Sequence, residues 1–401
     1  MSSKKIIYTG SFRFPDKDAA SQRVLGIAKA LREAGFDTIF CGWEKSPRSE
    51  DLETDGLYRF SDFEYHSQAE LDLVSNNSFQ RLFRFLFRGS KTIRWIKNYV
   101  NTNEINFVLV YNSNTYFIYK LFLLSKKMKF KLVCDCTEWY DGNHLPGGKY
   151  GIVNLDNNIR IKIIYPLIRN VIVISSFLQN YLQKKGCHTI IVPPLIDMDD
   201  SKWKTVNNNI RPSLYKIIKI IYAGDPGKKD LLKSVFSALE FMNTGLIKFE
   251  FHVLGIDLVP FKKYFFPGSK GIPSYVHCIG RVSQHEVPKY YHQCHFSVLF
   301  RENKRYAHAG FPTKLVESLS SGVPVITNCT SDIPNYIIHG ENGFLLKDTT
   351  DLVLIKCFHQ ILSLTENEAQ TMRENAKKSS VENFDIHVYS HQLKYYLLNL
   401  R

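Results

Sequence analysis

The residues of this chain that could do chemistry gather in three glycine-marked stretches. From His308 to Thr327 the sequence HAGFPTKLVESLSSGVPVIT joins a small-residue turn to a helix and then to a short apolar strand. Pro312 suits the first helical turn, where its missing N–H is no loss, and Gly322 stands where a helix C-cap is wanted. The open N–H groups of a helix entered through Gly310 and Phe311 form an anion site. Glu317 follows Thr313 by four residues and shares its face. An anion at the helix mouth with a carboxylate one turn behind is what a nucleotide's diphosphate and ribose hydroxyls require. The second stretch is an apolar strand, Ile217 to Ala223, running into GDPGKKD, Gly224 to Asp230, and a helix from about Leu231. Strand, glycine loop, lysine pair and helix describe a phosphate cradle in which Lys229 supplies a point charge. Arg301, delivered by the strand Phe296 to Phe300, and Lys314 are further bases. In the third stretch, the strand Phe130 to Asp135 runs into a polar loop, CDCTEWYDGNHLPGG. Its Glu138 and Asp141 are candidates to orient a hydroxyl or accept its proton. The plain alternative for each stretch is an ordinary loop of an α/β domain with solvated charges.

The elements that must position these groups read as alternating strands and helices. Lys4 to Gly10 is a strand, Ser21 to Ala34 a helix ended by Gly35, and Asp37 to Gly42 the next strand, the opening of a doubly wound domain. Gly10 stands alone, so the dinucleotide fingerprint is missing. Val171 to Ser175, Ser176 to Lys185 and Thr189 to Val192 form a further strand–helix–strand unit, closed by Pro193-Pro194 and the polar run DMDDSKW, which marks a linker. Asp197-Met198-Asp199 and Asp16-Lys17-Asp18 spell a short D-x-D pattern common by chance at this length. Both are read as loop acids, and no metal is expected. Thr365 with Glu368 forms a capping box for a long helix. His292 and His295, at a helix-to-strand junction, are read as structural.

Composition bounds the rest. A chain of 401 residues with 44% hydrophobic and 22% charged residues can bury two domain cores and is not of disordered type. The net charge of +14 admits nucleic acid, anionic lipid or phosphorylated substrates, but neither zinc-finger spacing nor an aromatic RNA-binding motif is present, so no nucleic acid is expected. Eleven of the 52 Lys and Arg residues fall between 78 and 131, against one acid, Glu104. From Phe79 to Ile96 bases at 81, 84, 88 and 91 recur beside phenylalanines, a basic amphipathic helix interrupted at Gly89. Such a helix lies on an anionic membrane surface or docks on its own sheet with a solvated basic side. The start MSSKKIIYTG enters a strand without a signal-type apolar segment. The eight cysteines lack metal-type spacing, so free thiols and a cytoplasmic setting are expected.

The stretch Gly310-Phe311-Pro312 with Glu317, the trailing SGVPVI, Lys229 after the Gly224 loop and ENGFL at 341–345 resemble the donor-site motifs of family 4 glycosyltransferases, the retaining GT-B enzymes. The resemblance implies two Rossmann-like α/β domains facing each other across a cleft. The domains would be 1–195, an acceptor-side domain completed by a returning helix 384–401, and 196–383, which holds the nucleotide sugar. It implies a metal-independent transferase of hexosyl type without cofactor, moving a sugar with retention to a hydroxyl of a glycan or lipid-linked acceptor. Bacterial surface polysaccharide synthesis, in the cytoplasm or peripherally on the inner membrane face, is the setting it suggests. Donor-binding residues would be Gly224, Lys229, Arg281, Val282, Arg301, Gly310, Phe311, Pro312, Thr313, Lys314 and Glu317, with the backbone at Arg281-Val282 reading the base. Gly10 and its loop would face the catalytic cleft with Arg23, an anion contact or else a surface arginine, and with Asp141. Glu138 and His144, the one histidine of its loop, are the catalytic candidates. Two departures stand out: the family's first motif glutamate is Ala309, and its arginine after the strand-end glycine is Asp225. Lys228, Arg301 or Lys314 could replace the arginine, and Glu302 or His308 the glutamate. A catalytically silent GT-B subunit that positions a partner at a membrane is the opposing reading.

Overall fold

The computed structural model describes residues 4–15, 18–71, 77–203, 217–227 and 229–400. Asp16, Lys17 and Lys228 therefore lie outside the described residues. The chain divides into two compact units, Met1–Leu195 with Ile386–Arg401, and Ile196–Asp385.

In the first unit, β1 (Lys4–Gly10), β2 (Phe36–Gly42), β3 (Arg59–Phe60), β4 (Phe63–Ser67), β5 (Phe107–Tyr111), β6 (Lys131–Cys136), β7 (Asn170–Val173) and β8 (His188–Ile191) form a sheet in the order β3-β4-β2-β1-β5-β6-β7-β8. Its pairs are parallel except β3 with β4. Covered on both faces, the central strands are apolar almost throughout: Ile6–Tyr8, Val108–Val110 and Val171–Val173 are all fully buried. The helix Ala19–Glu33 starts on a capping box between Asp18 and Ser21. The basic segment forms two helices, Ser78–Leu86 and Ser90–Thr102, broken at Gly89, whose φ of +99° is open to glycine and whose Cβ would overlap the Phe117 ring. No described helix is long and apolar enough to cross a membrane.

In the second unit, β9 (Ile218–Ala223), β10 (Phe249–Leu254), β11 (Val276–Gly280), β12 (Phe296–Leu299), β13 (Val325–Asn328) and β14 (Gly343–Leu346) form a parallel sheet in the order β11-β10-β9-β12-β13-β14. This is the doubly wound order, which reverses between β9 and β12 and opens a crevice at their carboxyl ends. One face carries the larger core, built on Ile220, Tyr222, Phe251, Val298 and Phe358. The long helix Glu366–Phe384 begins on the Thr365–Glu368 capping box. The change of unit falls between Asp385 and Ile386, not at 384: Phe384 packs on Phe311 and Tyr336, and Asp385 bridges to Ile196.

Candidate functional site

The crevice of the second unit is shaped by two glycines. β9 leads into Gly224, with φ +128°, where any Cβ would run into the stem of Lys314. Gly255, at the end of β10, approaches so closely that its Cβ would lie 2.8 Å from the Gly224 Cα. Beyond Gly224 the loop turns on Asp225, whose Oδ1 accepts from the Gly227 N–H at 2.9 Å. The Leu231 N–H donates to the Phe300 carbonyl at 2.8 Å and ties the loop to the end of β12, before the helix Lys233–Met242 starts.

At this point Asp230, nearly fully buried, gathers three side chains. Its carboxylate accepts from Arg301 Nε at 3.0 Å, from Lys314 Nζ at 2.6 Å and from the Tyr222 hydroxyl at 2.6 Å. Lys314 Nζ also donates to the Tyr222 oxygen at 2.6 Å. Asn328 fixes the Arg301 backbone by accepting from its N–H at 3.1 Å and donating to its carbonyl at 2.8 Å. Burial alone would push the Asp230 carboxyl up, but Lys314 and Arg301 hold it below the usual carboxylate range. Burial pulls the Lys314 ammonium down, partly offset by Asp230. Two cations share the Asp230 carboxylate beside Gly224, with Asp225 and Glu317 the further acids that act on the cluster. Lys314 and Arg301 are thus paired side chains held in place, not loose surface bases. Asp230, Tyr222 and Asn328 were not among the residues expected from sequence. A tyrosine in the apolar run and an aspartate directly after the lysine pair are the signals that could have found the first two; Asn328 carried none.

Lys314 opens the helix Thr313–Ser320, with Pro312 at its N-cap. Phe311 is buried, edge-on to Tyr336 at 5.5 Å, and anchors the turn. Gly310 is extended and its carbonyl accepts from the Ser331 hydroxyl. Glu317 is half-buried, and among the described residues none donates a hydrogen bond to its carboxylate. Burial pushes its pKa up, with Lys314 and Lys202 pulling the other way. Lys229 is half-buried on the cradle loop, its carbonyl accepting from the Tyr306 hydroxyl. Gly280, with φ +87°, precedes Arg281, which is exposed with its Nε 4.0 Å from Asp257. Val282 packs on the apolar cluster of Ile221, Leu254 and Tyr291. Ala309 is fully buried. Glu302 pairs with Lys304 at 2.6 Å and His308 meets Asn303, so both residues named as substitutes for the missing glutamate have local partners.

In the first unit, Gly10 closes β1 with φ +131°, a position where a side chain would overlap the Tyr111 backbone. Arg23 is corrected from an anion contact or a surface arginine to a buried structural ion. It is 3% exposed, its Nε and Nη2 grip Asp135 at 2.7–3.1 Å, and its Nη1 donates to the Val192 carbonyl at 2.9 Å. Tyr8 completes the group by donating to Asp135 at 2.6 Å. Glu138 is half-buried beside Tyr140 and raises that phenol's pKa well above normal, burial adding to the effect. Asp141 caps its own turn by accepting from the Asn143 N–H at 2.9 Å, and His144 follows in the same turn.

For metals, the Asp197–Asp199 pattern is a local turn in which Asp197 accepts from the Asp199 N–H. Among the described residues, Glu250, His252 and His277 could hold a cation, their ligand atoms lying within 4.8 Å of one another. Glu250 lies near the start of β10, about 13 Å along the strand from Leu254 at ~3.3 Å per residue, with Lys219 Nζ 4.0 Å away. His252 is in the middle of that strand and His277 near the start of β11. His295 is structural: its Nδ1 accepts from the Lys219 N–H at 2.8 Å.

The fold of the chain finds counterparts in known structures. Sucrose-phosphate synthase from Thermosynechococcus elongatus covers 98% of this chain, and 99% of itself, at TM-score 0.73 and 15% identity. The fold is GT-B. A glycosyltransferase from Rickettsia africae matches over 100% of both chains at TM-score 0.69 and 13% identity. Anabaena HepE, in complex with UDP and glucose, covers 99% of this GT-B chain and 100% of itself at TM-score 0.65 and 15% identity. Residues 261–379 match the family model "Glycosyl transferases group 1", a span that includes Arg301, Lys314 and Glu317 but not Gly224 or Lys229. No curated protein matches the chain in sequence. Family segment and fold together support a glycosyltransferase of GT-B type.

Proposed function

We propose that the chain is a retaining glycosyltransferase that takes a sugar from a nucleotide diphosphate donor and places it on a hydroxyl of a glycan or lipid-linked acceptor. The observation that carries this reading is the pair of cations, Arg301 and Lys314, fixed on Asp230 at the strand-order reversal, next to a helix mouth and the half-buried Glu317. Negative charge growing on the leaving diphosphate is met by Arg301, Lys314, Lys229 and the N–H groups at Thr313, groups fixed before the reaction begins. Glu317, with acceptor capacity to spare, takes the ribose hydroxyls. Gly224 and Gly310 let the backbone approach the phosphates, Pro312 and Phe311 hold the turn, and Arg281-Val282 borders the base. Because protein cations do this work, neither metal nor cofactor is called for. Glu138 and His144, with Asp141 supporting their loop, receive the acceptor hydroxyl and its proton.

The setting we infer is cytoplasmic, with peripheral contact to an anionic membrane in surface polysaccharide synthesis. Exposed Phe83 and Phe87 beside Arg81, Arg84 and Lys91 support the contact. Incubation with UDP-, GDP- and ADP-sugars, followed by proton NMR, tests the reaction. Donor consumption with an acceptor and an axial-to-axial or equatorial-to-equatorial product supports a retaining transferase; an inverted product removes that part of the reading. The buried Ala309 favours a second reading, a silent subunit, which need not bind the donor and in which Lys229→Ala changes nothing.

A further inference from the structure

The first unit has its own order reversal, between β1 and β5. A cavity of about 170 Å³ opens there, bounded by Ser11 after β1, Asn112 after β5 and Tyr140 from the loop that carries Glu138. Two arginines line it, Arg88 and Arg160. Arg160 is 5% exposed and begins a π-helical turn, Arg160–Ile164, a local widening that often accompanies functional sites. Its Nη1 donates to the Ser113 carbonyl at 3.1 Å and its Nη2 to Asn157 Oδ1 at 3.0 Å, while its buried Nε has no hydrogen-bond partner. The buried Nε of Arg88 also has none. Among the described residues neither guanidinium has a carboxylate at ion-pair distance. Arg23, just as deeply buried, is gripped by Asp135. The acid that lines the cavity, Asp156, turns its Oδ1 to the Thr115 N–H at 3.0 Å.

A guanidinium kept from water with no carboxylate at ion-pair distance is costly, and one that keeps an unused N–H beside a polar cavity is suited to an anion that enters. The planar fork of arginine matches the paired oxygens of phosphate and carboxylate. We propose that this cavity seats an oxyanion, a phosphate or carboxylate carried by the acceptor, with Arg88 and Arg160 as its receptors. The proposal rests on reading the first unit as the acceptor side. It narrows the acceptor class to anionic sugars or phosphorylated carriers. Asp156 acts on Arg160 and Glu70 on Arg88 from beyond ion-pair distance, so the two charges are offset only in part and the cavity selects an anion without binding every anion tightly.

Calorimetric titration of the full chain with inorganic phosphate, glucose 6-phosphate, glucuronate and glucose is the test. Glucose 6-phosphate or glucuronate should bind at least roughly tenfold more tightly than glucose, as one charged contact allows. Whichever of the two prevails identifies the oxyanion. Arg88→Ala and Arg160→Lys, the latter keeping charge but losing the fork, should each weaken that binding roughly tenfold. Titration with UDP runs alongside, because the donor candidates all lie in the other unit. UDP binding kept while the anion is lost confirms the site in a folded protein. Anion binding without UDP binding supports the cavity and defeats the donor reading. Should Arg160→Lys fail to fold, Arg88→Ala and the wild type still decide. Anions that bind no better than glucose, or binding unchanged in Arg88→Ala, overturn the proposal.

Discussion

Replacing Asp230 by asparagine keeps the side-chain volume and removes the charge that holds Arg301, Lys314 and Tyr222. The carboxylate is 2% exposed, the Arg301 and Lys314 side chains 15% and 17%. Taking one partner from such a group leaves two uncompensated cations side by side, a loss of about 3–5 kcal/mol for a buried pair. The residual exposure of the two cations favours the low end, ~3 kcal/mol. A body of this size loses about 2–4 °C per kcal/mol, so its melting temperature should fall by roughly 6–12 °C. Differential scanning calorimetry of the transition that UDP raises is the assay, and Asp257→Asn, in an exposed pair, is the control. The acid limb gives a second readout. Asp230 is held below the usual carboxylate range, so its contribution is complete above the unfolded value near ~4 and is lost as pH falls through the folded one. The variant should lack that part of the acid limb. With UDP at ~100 times its Kd, about 2.7 kcal/mol of stability should return. A fall of less than ~2 °C would refute the reasoning, because it would mean that the two cations do not depend on Asp230.

Glu317→Gln removes a carboxylate whose pKa burial raises, so the apo protein should melt no lower, and higher as pH rises from the unfolded value through the raised folded one, where the ionised group opposes folding. Nucleotide binding should weaken roughly tenfold or more in a titration, as for a lost charged hydrogen bond. Gly224→Ala places a side chain at φ +128° against Lys314 and should cost about 1–3 kcal/mol in denaturant unfolding, with UDP binding impaired. Asp135→Asn strips the buried Arg23 of its partner and should cost about 3–5 kcal/mol, with UDP affinity unchanged once the protein is folded.

Much of the framework was legible because it is written locally. Apolar runs such as Ile217 to Ala223, the glycine after that run and a proline at a helix start, as Pro312 is, each declare an element without reference to distant residues. The capping box at Thr365 and the break at Gly89 are of the same kind. What stayed hidden depends on which strands become neighbours. Arg23 lies 112 residues from Asp135, and Lys314 lies 84 from Asp230. Only the order reversal brings β9 beside β12 and β1 beside β5. A lone arginine in a sequence carries no sign of whether it will meet a carboxylate, as Arg23 does, or an open cavity, as Arg160 does. The change of unit was displaced for a similar reason, since Phe384 answers to aromatic partners tens of residues away.

Calorimetric titration of UDP, GDP and ADP into the full chain, with Lys229→Ala and Glu317→Gln beside it, tests the donor site most directly. Micromolar binding of one nucleotide, weakened at least roughly tenfold in both variants, is the predicted result. A folded wild-type chain that binds none of the three, or variants that bind as well as it does, would contradict the donor site.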